Sequence, residues 1–231
     1  MTSTRYTPEV GRKFNAGGTP QPFPGNTVVC MAHPAQAAHE LAVWVQRQIQ
    51  QLPFANKFSL LPPDSLHMTV IELLCDQIRE PTRWSSQLPL EAPLAATDAF
   101  FIEALATVEA PASLQMSYTG LAQWPGIVIT LRPADTATTT ALQHYRDAVA
   151  EASGVRLPNH ARYTFHITLS YLLVELESAE AEQLAVCLAA ADTHLRERFG
   201  IFSTGQPTLS FFDDMWRFVP ADQRHTLRSR S

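Results

Sequence analysis

His67-Met68-Thr69 and His166-Ile167-Thr168 are the residues of this chain best suited to chemistry. Histidine is the side chain whose charge changes near neutral pH, so it can give up or accept a proton in a reacting site. A threonine hydroxyl can donate a hydrogen bond to an oxygen on which charge accumulates. Both triplets sit in runs of aliphatic and β-branched residues, Leu66 to Val70 and Phe165 to Leu169, that read as strands. Alternation along a strand sends His67 and Thr69 to one face and Leu66, Met68 and Val70 to the other; the second triplet divides the same way. Two imidazoles and two hydroxyls are thereby offered to one polar surface.

A single His-x-Ser/Thr triplet is a weak signal, since roughly one histidine in eight shows it by composition. On its own it reads as a satisfied strand histidine beside a good strand former. His33, His39, His144, His160, His194 and His225 do not show the pattern. The two histidines that do occupy equivalent positions of an internal repeat, and that coincidence turns the reading toward catalysis.

The repeat follows from the elements around each triplet. Thr27 to Ala32 is apolar and β-rich, closed by His33-Pro34. Ala38, Leu41, Ala42, Val45, Ile49 and Leu52 then form one helical stripe, and Pro53 stops it. The first histidine strand, residues 66–74, completes a strand, helix, strand unit. In the second half Ile127 to Leu131 is the strand, Asp135 the N-cap, and Leu142, Tyr145, Val149 and Ala152 the stripe, with Gly154 at its end. Tyr163 to Leu173 is the second histidine strand. A single offset of 99 residues (166 − 67) superimposes the halves, because the spacing from Pro34 to His67 equals that from Pro133 to His166. Such a duplication predicts two lobes about an approximate two-fold axis, with the histidine strands facing each other.

Residues 1–24 form an N-terminal arm in which Arg12 and Lys13 are expected to be solvated, and repeats occupy 25–74 and 126–173 of a single domain over 1–231. Thr97 is the expected cap of a short helix through Phe100, Phe101 and Leu105. Ser113 to Gln123 should pair with Ile127 to Leu131 across the turn Gln123-Trp124-Pro125-Gly126. A long helix is predicted from Glu177 to Phe199 and a final strand from Leu209 to Phe218, followed by a frayed tail, 222–231.

Composition bounds the function class. The chain has 231 residues, 45% hydrophobic and 17% charged, with a net charge of −5 and a pI near 5.9. That charge argues against coating a long nucleic acid duplex and leaves room for a small anionic ligand or a single RNA end. Cys30, Cys75 and Cys187 are widely spaced with no C-x-x-C pair, which predicts free thiols in a reducing cytosol. The polar N-terminus lacks a signal-peptide core, and no apolar run reaches membrane-spanning length. No H-E-x-x-H occurs, and Asp213-Asp214 are strand neighbours with side chains on opposite faces, so neither pattern suggests a metal hydrolase. No G-x-S-x-G suggests a serine hydrolase.

The paired His-x-Thr strands in near-equal halves resemble the 2H phosphoesterase superfamily. It includes 2′,3′-cyclic nucleotide phosphodiesterases, the so-called 2′-5′ RNA ligases and RNA-end-trimming enzymes. Gly11-Arg12-Lys13-Phe14, Pro22-Phe23-Pro24-Gly25-Asn26-Thr27 and Phe211-Phe212-Asp213-Asp214-Met215 are similar to a bacterial and fungal subgroup of unknown function. The resemblance covers residues 10–220. It implies a bilobal α+β fold, two pseudo-symmetric antiparallel sheets with helices outside and a cleft between. It also implies a monomeric phosphodiesterase that needs neither metal nor cofactor, with His166 as base, His67 as acid and Thr69 and Thr168 holding the phosphate. Arg162, Tyr163 and Tyr171 are candidates for phosphate or ribose contact, and Trp124 and Trp216 for stacking on a base, each against an ordinary packing role. The expected ligand is a small nucleotide or RNA end carrying a cyclic phosphate. The alternative from another class is a module that binds such an end without turning it over, which would not need two titrating groups.

Overall fold

The computed structural model describes residues 4–124 and 126–227. Among the described residues ten strands and four α-helices follow one another in a pattern that repeats. The first half contains β1 (Gly25–Met31), α1 (Ala37–Gln50), β2 (Phe58–Leu60) and β3 (His67–Cys75). A connecting helix α2 (Leu94–Leu105) and strand β4 (Gln115–Gln123) lead to β5 (Ile127–Pro133), α3 (Thr136–Ser153), β6 (Phe165–Thr168) and β7 (Ser170–Leu172). The chain then runs through α4 (Ser178–Arg198), β8 (Ile201–Ser203), β9 (Thr208–Asp214) and β10 (Arg217–Pro220). No helix is long and apolar enough to cross a membrane among the described residues.

Eight strands form one curled antiparallel sheet in the order β10-β9-β1-β3-β6-β5-β4-β8, and β2 pairs with β7 in a second sheet. Four strands come from each side of the β3·β6 seam, and the seam is a single residue pair, Met68 with Ile167. Those two residues differ by the repeat offset (167 − 68 = 99), so the pseudo-two-fold axis passes between them. The same offset relates the pair Cys30 with Met68 to the pair Ile129 with Ile167. Both seam residues are fully buried. Burying their apolar face fixes the register of each histidine strand, because a one-residue slip would put the imidazoles into the core.

Helix α1 buries the predicted stripe, including Ala42, Val45 and Ile49. Helix α3 starts at Asp135, whose Oδ1 accepts the Thr138 amide at 2.6 Å, and ends at Gly154 with φ of 66°, a conformation glycine adopts without strain. Replacing Asp135 with alanine is expected to cost about 1 kcal/mol of stability, read from a denaturant midpoint shifted without a change in slope. Helix α4 opens on a reciprocal cap between Glu177 and Glu180.

Several elements depart from the sequence reading. Thr97 lies inside α2, where its hydroxyl donates to the Leu94 carbonyl, and the helix begins directly after Pro93. Residues 209–218 are a hairpin rather than one strand, because Asp214 Oδ1 accepts the Trp216 amide and turns the chain. The second histidine strand is interrupted at Leu169. Its carbonyl accepts from the Leu61 amide and from the buried Gln46 side chain, and the Ser170 hydroxyl accepts the Ile127 amide, so the chain passes from the large sheet to the small one. The tail is docked as far as Leu227: residues 221–226 form a 3-10 turn and Leu227 is buried. Residues 228–231, and Pro125 of the β4–β5 turn, lie outside the described residues.

Candidate active site

His67 and His166 project from β3 and β6 into one cavity of about 260 Å³. The antiparallel sense of the Met68–Ile167 pair sets each histidine beside the other strand's threonine, and Thr69 and Thr168 line the same space. Each imidazole is anchored in the same way. His67 Nδ1 lies 2.7 Å from the Ser65 carbonyl and His166 Nδ1 lies 2.8 Å from the Thr164 carbonyl. A carbonyl can only accept, so both Nδ1 atoms carry hydrogen and both Nε2 atoms are left for the cavity. Ser65 and Thr164 are themselves related by the repeat offset. Sequence could not single them out, because the group at work is backbone.

Burial pushes the His67 imidazole down to about 4, opposed by the bond to Ser65 and reinforced by the neighbouring His166. At neutral pH without ligand, His67 is therefore an uncharged ring with a lone pair on Nε2. The ring packs 4.2 Å from Phe218 of β10, three strands away, which shows how far the sheet curls over the cavity. His166 is flanked by Trp124 at 5.6 Å and Tyr163 at 6.3 Å.

Two bulges decide what else faces the cavity. The register between β1 and β3 shifts between Val28 and Val29 and again between Gly25 and Thr27. Simple alternation would follow His67 and Thr69 with Ile71 and Leu73. The bulges bring Glu72 and Cys75 out, partly exposed, beside Leu73 and Leu74 in the cavity wall, while Ile71 is buried outside it. Glu72 was thus hidden from a reading by period two. Arg146 of α3 holds the first bulge: its guanidinium is buried, donates to the Val70 carbonyl and to the His160 carbonyl at 2.8 Å, and stacks 4.7 Å from Tyr163. Tyr163 in turn shares a hydrogen bond with the Thr69 hydroxyl, and its burial raises its phenol far above the ordinary value.

Among the other candidates, Tyr163 and Tyr171 line the cavity, whereas Arg162 and Trp216 are exposed and stand outside its wall. Trp124 is 60% exposed beside His166. Arg12 and Lys13, expected in solvent, instead line the cavity with Phe23. The arm is pinned by Phe14, fully buried against Tyr171 at a centroid distance of 5.1 Å.

The family described as 2H-phosphodiest, "Domain of unknown function (DUF1868)", matches residues 13–125, which include the first His-x-Thr strand. Residues 13–125, just under half of the chain, thus match a 2H phosphoesterase family model. The second His-x-Thr strand lies beyond the matched segment and is tied to the first by the repeat and the seam. Among solved structures, the chain is similar to a conserved protein of unknown function from Agrobacterium tumefaciens. The two share 28% identity and a TM-score of 0.86, over 94% of this chain and 92% of that one. No curated protein matches the chain. The family match supports a phosphoesterase in general and leaves the substrate to be argued from the cavity.

Proposed function

We propose that the chain hydrolyses or transesterifies a 2′,3′-cyclic phosphate of a nucleotide or RNA end, or a related small cyclic phosphodiester, by two-histidine acid and base catalysis. The observation that carries this reading is the pair of free Nε2 atoms, one from each half of the repeat, beside two threonine hydroxyls in one cavity. In-line displacement at phosphorus needs a base beside the incoming oxygen and an acid beside the departing one. Imidazoles on two strands related by a two-fold axis meet that need, and the threonines donate to the non-bridging oxygens between them.

The ligand-free electrostatics bear on which histidine does what. His67, held neutral by burial, is ready to accept the proton of attacking water or hydroxyl at Nε2, and His166 then protonates the leaving oxygen. This is the reverse of the assignment that the family resemblance implies. An anionic phosphoryl group against His67 would favour its protonated form, so the roles exchange naturally in the reverse reaction.

Incubation of the EDTA-treated protein with nucleoside 2′,3′-cyclic phosphates, cyclic-phosphate-ended oligonucleotides and ADP-ribose 1″,2″-cyclic phosphate tests the reading. Ring opening of at least one is expected. Binding without turnover of any would leave a recognition module in place of an enzyme.

A further inference from the structure

We infer that Arg12 and Lys13 of the N-terminal arm, with Arg83 of the loop before α2, form a second anion subsite in the catalytic cavity. The substrate would then be a cyclic phosphodiester that carries a further phosphate group. The inference rests on the phosphodiesterase reading above and narrows its substrate class.

The first observation is a local inversion of charge. The chain as a whole is acidic, with a net charge of −5, yet the charged residues lining the cavity are Arg12, Lys13 and Arg83 against Glu72 alone. One carboxylate serves both arm cations: Glu9 Oε1 lies 2.8 Å from Arg12 Nη2, and Glu9 Oε2 lies 3.2 Å from Lys13 Nζ. Glu9 neutralises one of the two and leaves one positive charge over. Arg83 lines the same cavity and has no carboxylate partner among the described residues, which adds to the surplus.

The second observation is that the Arg12–Glu9 pair is not self-sufficient: Arg12 Nε and Glu9 Oε2 are both buried without a hydrogen-bond partner among the described residues. The Arg12 side chain is otherwise 42% exposed, so the outer nitrogens of its planar guanidinium are open to an anionic oxygen. Lys13 is held equally firmly, its ammonium 4.6 Å from the Tyr171 ring and 5.5 Å from the Phe23 ring. Only 14% of its side chain is exposed.

The third observation is that the arm is built, not draped. Gly11, with φ of 84°, turns the chain between Val10 and Arg12, and its amide donates to the Phe14 carbonyl at 2.8 Å. Asn15 Oδ1 accepts the amides of Gly17 and Thr19, closing the next loop, and Phe14 is fully buried. Two cations on a solvated arm would need none of this. Preorganisation of this kind raises the affinity of a charged contact, because the ordering entropy is met on folding rather than on binding. Arg12 and Lys13 line the same cavity as both histidines, with Lys13 over the Tyr171 ring in its wall, so the second anion binds in the same space as the scissile phosphate.

The test compares nucleoside 2′,3′-cyclic phosphates bearing a 5′-hydroxyl, a 5′-monophosphate or a 5′-diphosphate, with the ratio of kcat/KM as readout. At least one 5′-phosphorylated form is expected to be preferred by about 10- to 100-fold, the range of one or two charge-assisted hydrogen bonds. The ratio should fall toward one in Arg12→Gln and in Lys13→Gln, each checked for folding by its thermal transition. It should also shrink from low to high salt. A ratio near one in the wild type, or a preference that survives both substitutions, overturns the subsite. Calorimetry with adenosine 2′-monophosphate and adenosine 2′,5′-bisphosphate separates this idea from the enzyme reading. A bisphosphate preference lost in both variants, without turnover of any substrate, keeps the subsite and removes the enzyme; equal binding of the two nucleotides removes the subsite.

Discussion

Replacing His67 or His166 with alanine is expected to lower kcat/KM for a cyclic phosphodiester by about 10²- to 10⁴-fold each, the usual contribution of one positioned acid or base. The two losses should not multiply in the double variant, because acid and base act in the same step and removal of either already raises the barrier that the other served. His67 and His166 are both partly exposed at the cavity wall, and neither anchors the seam, which Met68 and Ile167 close from the opposite face. The variants should therefore keep the wild-type thermal transition. Equal activity of wild type and both single variants, with folding intact, would show that the cavity is not used as a two-histidine site.

The second large effect is expected at Arg146, which touches neither histidine. Its guanidinium ties the Val70 carbonyl at the bulge to the His160 carbonyl and supports Tyr163, the partner of Thr69. In Arg146→Met the buried Val70 carbonyl and the partly buried His160 carbonyl lose charge-assisted donors, which costs about 2–5 kcal/mol. The bulge also loses the brace that turns Glu72 into the cavity. A merely structural role would lower stability alone. The positioning role predicts in addition a higher KM at a temperature where the variant is fully folded, since Thr69 would no longer be held for the phosphate. An unchanged KM in the folded variant would reduce Arg146 to a stabilising residue.

Much of this was legible from residue types and spacing. The offset that relates His67 to His166 in sequence reappears in space as the Met68–Ile167 seam, because a duplicated strand can meet its copy only about an axis between equivalent residues. The Asp135 cap and the Gly154 stop were readable for the same local reason. What escaped was set by long-range packing or by backbone. Glu72 faces the cavity because a bulge between Thr69 and Ile71 breaks the period of two. Phe218 reaches His67 because the sheet curls. Arg12 and Lys13 are drawn in by the buried anchor Phe14, which a polar arm with glycines gave little reason to expect. The break at Leu169 depends on a glutamine of α1, more than a hundred residues earlier in the chain.

The central claim is that two imidazoles, in opposite protonation states, act on one phosphoryl group. The pH dependence of kcat/KM tests it most directly, because that quantity reports the ionisations of the free enzyme. Burial holds free His67 down to about 4, so its base form is present above that value. Activity should therefore fall as the pH drops through about 4. An acid limb near 4 that is kept in the residual activity of the His166 variant and missing from that of the His67 variant is the expected result. A rate that does not fall toward pH 4, or an acid limb unchanged in the His67 variant, would contradict the account.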